Sequence, residues 1–298
     1  MRAPLRSSLV LLGLGACRSH AGGVDAGAPA AASVAGVEAA AASSVSVTAA
    51  PPAAPPASAP VATDWCIEGL SALDEDDCYV LPPLAPGAPR RLLVYLHGIV
   101  PPLPDSVQKR AFETAVLRAS TRAGVAALVP RGQRGLGPVP GARDWWAWPT
   151  TTAAIAERTP SFVGRWTAAK ERLEELAGAP FERTYLAGSS NGAYYLTALV
   201  LRGDLPTASF PVDGFGAMSG GAAGAATAAQ LAGLARRPFY VGFGTYDEQS
   251  KTNARGLVAL LTAARWPVRS AEHPLGHGAN EVYLDEAFAF WGEAEGAR

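Results

Sequence analysis

The sequence contains few charged residues. Only 17% of its 298 residues are Asp, Glu, Lys or Arg, and their formal sum is −1. Proteins that bind nucleic acid or acidic partners usually carry a basic excess, so no nucleic-acid partner is expected. The hydrophobic fraction of 49% is typical of an ordinary soluble domain with attached segments.

The apolar run near the N-terminus is too short to cross a bilayer as a helix. Residues 9–16 follow two arginines and match the h-region of a secretory signal. The sequence Leu14-Gly-Ala-Cys17 resembles a bacterial lipobox, in which the cysteine takes a diacylglycerol. Residues 1–16 are therefore expected to be a signal peptide, and the protein is expected to be exported and lipid-anchored to the cell envelope through Cys17. A plain signal peptide cleaved nearby, or a chance cysteine, is the alternative.

The next segment lacks Phe, Trp and Tyr and has almost no charge. Between Cys17 and Asp64 the charged side chains are Arg18, Asp25 and Glu38, and most other residues are Ala, Pro, Gly, Ser and Val. Such a segment cannot bury enough apolar surface to offset its ordering entropy. Residues 17–62 are expected to be a disordered tether with ends roughly 35–40 Å apart, although an Ala-rich helix over 39–50 is an alternative. The folded domain is expected over 63–298.

Cysteine is scarce, with three in the whole chain. If Cys17 is lipidated, Cys66 and Cys78 remain as one pair, and an exported location permits a disulfide between them. The acidic residues 74–77 between them lack the spacing of a calcium-binding loop. A solvated turn is expected there, and no metal site.

A strand, a sharp turn and a helix are predicted over residues 184–196. The apolar run breaks at Gly188-Ser-Ser-Asn-Gly192 and resumes with helical spacing. A nucleophile on a tight, strained turn needs small residues two positions before and after it, so Ser190 is the candidate nucleophile. Ser219 lies in a near-variant of the pattern, Ala217-Met-Ser-Gly-Gly221. The residues after it are almost all Gly and Ala and offer no apolar helix face, so Ser219 is interpreted as a strand end.

Two more candidate residues follow predicted strands. Asp247 comes after the strand 239–243, and His277 comes after the strand 268–272. Strands that alternate with helices predict a mainly parallel sheet, with active groups at the carboxyl ends of the strands. Ser190, Asp247 and His277 occur in the chain order of a hydrolase triad and are expected to meet there as nucleophile, orienting acid and base.

Each assignment has a rival in the sequence. Glu248 is the neighbour of Asp247, and His273 precedes His277 at the end of the same predicted strand. Glycines on both sides of His277 give its loop the freedom to reach the nucleophile, which favours it over His273. His97 ends the apolar run 91–97 directly before a glycine, where a role in shaping the loop is expected.

An irregular segment, residues 131–161, follows the predicted strand 125–130 and precedes the predicted helix 162–177. It contains Trp145, Trp146 and Trp148. Long irregular insertions in compact domains are usually lids or binding loops. The three tryptophans are expected to form either a substrate platform or a hydrophobic plug that ties the loop to the core.

Four motifs together resemble those of α/β-hydrolases: Leu96-His-Gly98, Gly188-Ser-Ser-Asn-Gly192, Gly244-Thr-Tyr-Asp247 and Gly276-His277. Over most of residues 90–292 the chain is similar to the secreted esterase group that includes polyhydroxybutyrate depolymerases and feruloyl esterases. The resemblance implies an α/β-hydrolase fold with a mainly parallel central sheet and helices on both faces. It also implies oxyanion donors at the backbone N–H groups of Asn191 and Ile99, with Gly98 as the alternative to Ile99.

The resemblance further implies a serine esterase that cleaves small-molecule or polymeric carboxylic esters through an acyl-enzyme, without metal or cofactor. The loop Ile99-Val-Pro-Pro102 departs from the family pattern, so the substrate stays open. A serine peptidase with the same triad is one alternative. A non-catalytic hydrolase-fold protein that binds an envelope ligand is the other.

Overall fold

The computed structural model describes residues 65–138, 140–205, 209–224 and 226–297. The predicted signal peptide, the predicted tether and Cys17 lie outside these residues. The strands are β1 (Ser71–Ala72), β2 (Asp77–Val80), β3 (Arg91–Leu96), β4 (Ala126–Pro130), β5 (Arg183–Ser189), β6 (Gly214–Met218), β7 (Phe239–Gly244) and β8 (Val268–His273). The helices are α1 (Val107–Ala123), α2 (Thr152–Ala177), α3 (Asn191–Arg202), α4 (Ala228–Ala232), α5 (Glu248–Ala263) and α6 (Glu281–Gly296). Within the described residues, none of these helices combines the length and apolarity needed to cross a membrane.

The eight strands form one sheet that is parallel through its centre and antiparallel at one edge. Its order is β1-β2-β4-β3-β5-β6-β7-β8. Neighbours from β4 to β8 pair in parallel, whereas β2 pairs antiparallel with β4 and β1 with β2. The expected mainly parallel sheet is confirmed. The antiparallel edge is not evident in the sequence, because β1 and β2 span only 2 and 4 residues.

Helices cover both faces because the side chains of a strand alternate between them. In β3, Leu92, Val94 and Leu96 belong to one buried cluster, and Leu93 and Tyr95 belong to the other. The first cluster includes side chains of α2, α3 and α5, and the second includes side chains of α1 and α6. A central strand that is buried on both faces is a continuous apolar run, which makes β3 recognisable in the sequence.

Helix α2 begins at Thr152 rather than at Phe162, so the prediction that all of 131–161 is irregular is wrong. The buried side chain of Ile155 continues the helical period of Phe162 and the residues after it. Pro160 makes a helix across this segment hard to predict from the sequence, because proline removes a backbone donor and normally ends a helix. Here the helix continues through Pro160, and its last 16 residues are those that the sequence predicts as helical, 162–177.

The structure contains the expected disulfide between Cys66 and Cys78, whose Cα atoms lie 5.5 Å apart. The bond ties the segment before β1 to β2, and the Cys78 side chain is fully buried. The link therefore fastens the antiparallel edge of the sheet to the first described residues.

Reduction of this disulfide should destabilise the domain. The two cysteines are 12 residues apart, and closing a loop of this size contributes about 3 kcal/mol in the chain-entropy model. For a domain of this size the loss corresponds to a fall in Tm of about 6–12 °C. The measurement is thermal unfolding with and without dithiothreitol. As a control, the Tm of the double variant Cys66→Ser/Cys78→Ser should not respond to the reductant. Two free thiols, found by alkylation mass spectrometry on unreduced protein, would contradict the bond.

Candidate active site

A sharp turn at Ser190 joins β5 to α3. β5 ends at Ser189, α3 begins at Asn191, and Ser190 between them has φ 50° and ψ −120°. Residues other than glycine rarely adopt a positive φ, and such strained residues cluster at functional sites. The turn leaves the Ser190 side chain partly exposed at the carboxyl end of β5.

The glycines around Ser190 are required by close packing. A Cβ on Gly188 would lie 2.8 Å from the backbone of Gly192, and a Cβ on Gly192 would lie 2.6 Å from the His97 carbonyl oxygen. Gly220 lies against the same turn, since its Cβ would be 2.7 Å from the Ser190 carbonyl oxygen. Only residues without a side chain let these backbone segments approach the turn.

His277 and Asp247 form a chain of hydrogen bonds with Ser190. His277 Nε2 lies 2.8 Å from Ser190 Oγ, and His277 Nδ1 lies 2.9 Å from Asp247 Oδ2. When Nδ1–H donates to the carboxylate, Nε2 is left to accept the serine hydroxyl proton. The structure thus brings together the three residues that follow β5, β7 and β8. Their catalytic roles stay predictions.

Asp247 also begins helix α5 as its N-cap. Its Oδ1 accepts the backbone N–H of Ser250 at 3.1 Å, while its Oδ2 faces His277. The Asp247 side chain is 1% exposed, whereas the His277 side chain is 43% exposed. The helix that Asp247 caps therefore fixes the orientation of the carboxylate toward the imidazole. This cap starts α5 at Glu248, ahead of the predicted start at Thr252.

The rivals beside the triad point elsewhere. The Glu248 side chain is 81% exposed and pairs with Lys251 at 2.7 Å. His273 is the last residue of β8, and its Nε2 lies 3.1 Å from Glu286 Oε1 on α6. Neither rival contacts Ser190 in the described structure, so neither replaces Asp247 or His277.

Ser219 resembles Ser190 locally but is placed differently. It follows β6 directly and also has a positive φ, of 45°, yet its side chain is fully buried. Its hydroxyl donates to the Gly278 carbonyl oxygen at 2.8 Å. Ser219 therefore holds the loop that carries His277, and it does not offer an exposed nucleophile.

His97 uses both ring nitrogens to organise the loop after β3. Its Nε2 accepts the Gly132 N–H at 2.9 Å, and its Nδ1 contacts the Gly98 carbonyl oxygen. Burial lowers the pKa of His97 to about 4, so the ring is uncharged at neutral pH. These contacts agree with a role in shaping the loop and leave no nitrogen for proton transfer.

The residues expected to donate the oxyanion hydrogen bonds surround Ser190. Asn191 is the first residue of α3, so its backbone N–H has no acceptor within the helix and lies at the positive end of the helix dipole. A Cβ on Gly98 would lie 3.2 Å from Ser190 Cβ, which places the loop of Ile99 against the nucleophile. Gly98, Ile99 and Asn191 all line the cleft that contains Ser190. Their role as donors stays a prediction.

The three tryptophans of the irregular loop separate in the structure. Trp148 is fully buried and stacks on Tyr195 of α3, with ring centroids 5.9 Å apart. Trp146 packs edge-on against Trp65. Of the three, Trp145 lines the cleft. The three tryptophans therefore do not form one platform, because Trp146 and Trp148 pack as a plug. A substrate-binding role of Trp145 stays a prediction.

The side chain of Asn191 fastens this plug to the turn. Its Oδ1 accepts the Trp148 backbone N–H at 2.6 Å, and its Nδ2 donates to the Trp148 carbonyl oxygen at 3.2 Å. The indole N–H of Trp148 in turn donates to the His97 carbonyl oxygen at 2.9 Å. The sequence assigns Asn191 only a backbone role, and this side-chain role depends on a contact between residues distant in the chain.

A cleft of about 1540 Å³ opens in front of Ser190. Its walls include α3, the first turns of α1 and α5, and the Gly- and Ala-rich residues after β6. Apart from His277, the ionisable side chains described on these walls are Tyr194, Arg202 and Asp204, and the last two pair with each other. The cleft therefore presents mainly apolar and neutral polar groups to a ligand.

Ser250 is a site residue that the sequence does not reveal. Its side chain is fully buried, and its Oγ lies 3.2 Å from His277 Nδ1. The predicted start of the helix at Thr252 leaves Ser250 in a loop. Recognising Asp247 as an N-cap would have located it, because an N-cap accepts the backbone N–H of the residue three positions later.

Comparison with solved structures finds similar folds at low sequence identity. Esterase PE8 is 20% identical with a TM-score of 0.50, and the match covers 72% of this chain and 96% of that chain. A carboxylesterase from Bacillus cereus is 16% identical with a TM-score of 0.50, covering 73% and 93% of the two chains. A carboxylesterase from Mesorhizobium loti is 20% identical with a TM-score of 0.50, covering 72% and 93%.

Comparison with protein-family models finds no match, and neither does comparison with curated proteins. At identities of 16–20% the likeness to solved structures concerns the fold. The same architecture is visible in the strand order, the parallel centre of the sheet and the helices on both faces. The chain has the α/β-hydrolase fold.

Proposed function

We propose that this protein is a serine hydrolase that cleaves carboxylic esters through an acyl-enzyme intermediate. The observation that carries the proposal is the continuous contact from Ser190 Oγ through the His277 ring to the Asp247 carboxylate. A serine hydroxyl is a weak nucleophile by itself, and this contact supplies the base and the orienting acid that it needs. The esterases among the similar folds favour an ester as the substrate.

In the proposed reaction, Ser190 Oγ attacks the ester carbonyl carbon while His277 Nε2 takes the hydroxyl proton. The Asp247 carboxylate stabilises the imidazolium, and the N–H groups of Asn191 and Ile99 stabilise the oxyanion. The tetrahedral intermediate collapses by breaking the bond to the alcohol, which leaves with the proton from His277. Water then attacks the acyl-enzyme with His277 again as base, and the carboxylic acid and free Ser190 result.

The cleft supports a neutral ester with an apolar part as the substrate. The two oppositely charged side chains on the described walls neutralise each other, at 2.5 Å between Arg202 Nε and Asp204 Oδ2. A charged substrate would lose hydration there without gaining a fixed counter-charge. Apolar walls with few polar groups are typical of sites that bind substrates largely by burial.

A substrate panel tests this proposal. It contains p-nitrophenyl esters graded by acyl length, a feruloyl ester, an oligomer of 3-hydroxybutyrate and a short peptide. We expect hydrolysis of the esters and no cleavage of the peptide. Turnover of the feruloyl ester or the oligomer would support the resemblance to that esterase group. Cleavage of the peptide alone would show a peptidase, and no turnover of any member would favour a non-catalytic binding protein.

We further propose that the protein is an exported lipoprotein held at a membrane through Cys17. The support is the short apolar run and the motif Leu14-Gly-Ala-Cys17 that follows it. Two or three acyl chains anchor a protein stably, whereas one chain gives only marginal binding.

Replacing Cys17 by serine should release the protein from membranes or leave an unprocessed precursor, because the acceptor thiol is lost. Detergent-phase partitioning and the mass of the N-terminal peptide measure this outcome. The matched control is Ser19→Ala, which leaves the motif intact and should partition like the wild type. Unchanged partitioning of the Cys17→Ser variant would remove the lipoprotein proposal.

A further inference from the structure

Ser250 makes a contact with the imidazole that the proposed mechanism has not used. Its Oγ lies 3.2 Å from His277 Nδ1, and the same nitrogen lies 2.9 Å from Asp247 Oδ2. The backbone N–H of Ser250 donates to the other carboxylate oxygen, Asp247 Oδ1, at 3.1 Å. Ser250 therefore contacts both the base and the acid of the triad, from a buried position beside the cleft.

We propose that Ser250 is a positioning residue that accepts part of the hydrogen bond from His277 Nδ1–H. This inference rests on the proposed hydrolase function and goes beyond it, because the triad alone assigns that proton to Asp247. With two acceptors on one side, the ring is held with Nε2 toward Ser190. The hydroxyl oxygen also stabilises the imidazolium that forms when His277 takes the serine proton.

The surroundings favour this role over simple space filling. The Ser250 side chain is fully buried, so no bulk water competes for the Nδ1 proton from its side. The His277 side chain is 43% exposed, so hydrogen bonds at its ring nitrogens, rather than close packing, hold its orientation. The charged group that faces Nδ1 is Asp247. Tyr283 of α6 interacts electrostatically with that carboxylate, and burial raises the pKa of Tyr283.

No proton leaves Ser250 in the proposed step. The Ser190 hydroxyl proton moves to His277 Nε2, and the Nδ1 proton stays on the ring, shared between the Asp247 and Ser250 oxygens. The proton later passes from Nε2 to the leaving alcohol. Ser250 acts through His277 and touches no substrate atom.

Replacing Ser250 by alanine tests the proposal. The pH profile of kcat/KM is measured for the wild type and the variant. Because the variant loses a hydrogen bond to a charged group, the plateau value of kcat/KM should fall about tenfold. Loss of an acceptor removes stabilisation from the protonated ring, so the acid limb of the pH profile of kcat/KM should extend to lower pH. A plateau that falls while the acid limb extends to lower pH is a signature that a packing defect does not produce.

A second readout needs no substrate. The Nδ1–H proton of His277 should give a downfield NMR resonance in the wild type, which should shift upfield in the Ser250→Ala variant because one acceptor is lost. The matched control is Thr252→Ala, an exposed position on the same helix, which should change neither the resonance nor the profile. If the wild type hydrolysed no ester, the proposed function would fail, yet the resonance would still test the Ser250 contact.

The proposal is overturned by either of two results. One is a plateau value of kcat/KM within about twofold of the wild type, because such a change is too small for the loss of a hydrogen bond to a charged group. The other is a reduced plateau with an unmoved acid limb, an unmoved Nδ1–H resonance and a lowered Tm, which would show that Ser250 only fills space.

Discussion

Replacing Ser190 by alanine should lower ester kcat/KM by roughly 10⁴- to 10⁶-fold, because triad members act as a unit and the loss of one removes the whole covalent route. The fold should survive, since the substitution removes only a partly exposed hydroxyl. Steady-state kinetics on the best p-nitrophenyl ester of the panel measures the loss. Circular dichroism and Tm verify that the variant is folded.

Two other serine variants are controls for the Ser190→Ala variant. Ser161→Ala changes an exposed residue of α2 and should have the activity of the wild type. Ser219→Ala keeps the nucleophile but removes the hydrogen bond to the loop of His277, so it should be slower than the wild type and far more active than Ser190→Ala. An inactive Ser219→Ala variant beside an active Ser190→Ala variant would show that the nucleophile is Ser219, after β6, and that its assignment to Ser190, after β5, is wrong.

Replacing His277 by alanine should cost nearly as much as losing Ser190, because no other imidazole reaches Ser190 Oγ within the described residues. Asp247→Asn should cost somewhat less, roughly 10²- to 10⁴-fold, since the acid orients the ring without taking its proton. The asparagine side chain keeps an oxygen that can accept the Ser250 N–H. The N-cap of α5 should therefore persist, and the Tm should change little.

The controls for this pair are the two rival residues. His273→Gln and Glu248→Gln change side chains that pair with Glu286 and Lys251, away from Ser190, and both should keep most of the activity. An inactive His273→Gln variant with an active His277→Ala variant would show that the base is misassigned. Likewise, an inactive Glu248→Gln variant with an active Asp247→Asn variant would show that the orienting acid is misassigned.

The place of the site could be predicted because each of its three residues follows a predicted strand. Parallel strands end at one edge of a sheet, so residues distant in the chain meet there. Ser190 carried an additional signal, since the glycines beside it are needed only where backbones approach closely. The order of Ser190, Asp247 and His277 along the chain then selected one arrangement among several local rivals.

Other features could not be predicted because they depend on contacts between distant residues. Trp148 stacks on Tyr195 and forms hydrogen bonds with His97 and Asn191. No local sequence pattern shows that this tryptophan of the loop is the buried one. Helix α2 extends through Pro160, since the tertiary packing of residues such as Ile155 overrides a strong local signal. The two edge strands are too short for alternation to be recognised.

Covalent labelling tests the central claim most directly. A fluorophosphonate reacts with a serine only when a base and an oxyanion site activate its hydroxyl. Intact mass spectrometry should show one adduct per molecule, and peptide mapping should place it on Ser190. The His277→Ala variant should remain unlabelled. Absence of any adduct on the folded wild-type protein, or an adduct on Ser219 instead of Ser190, would contradict the account.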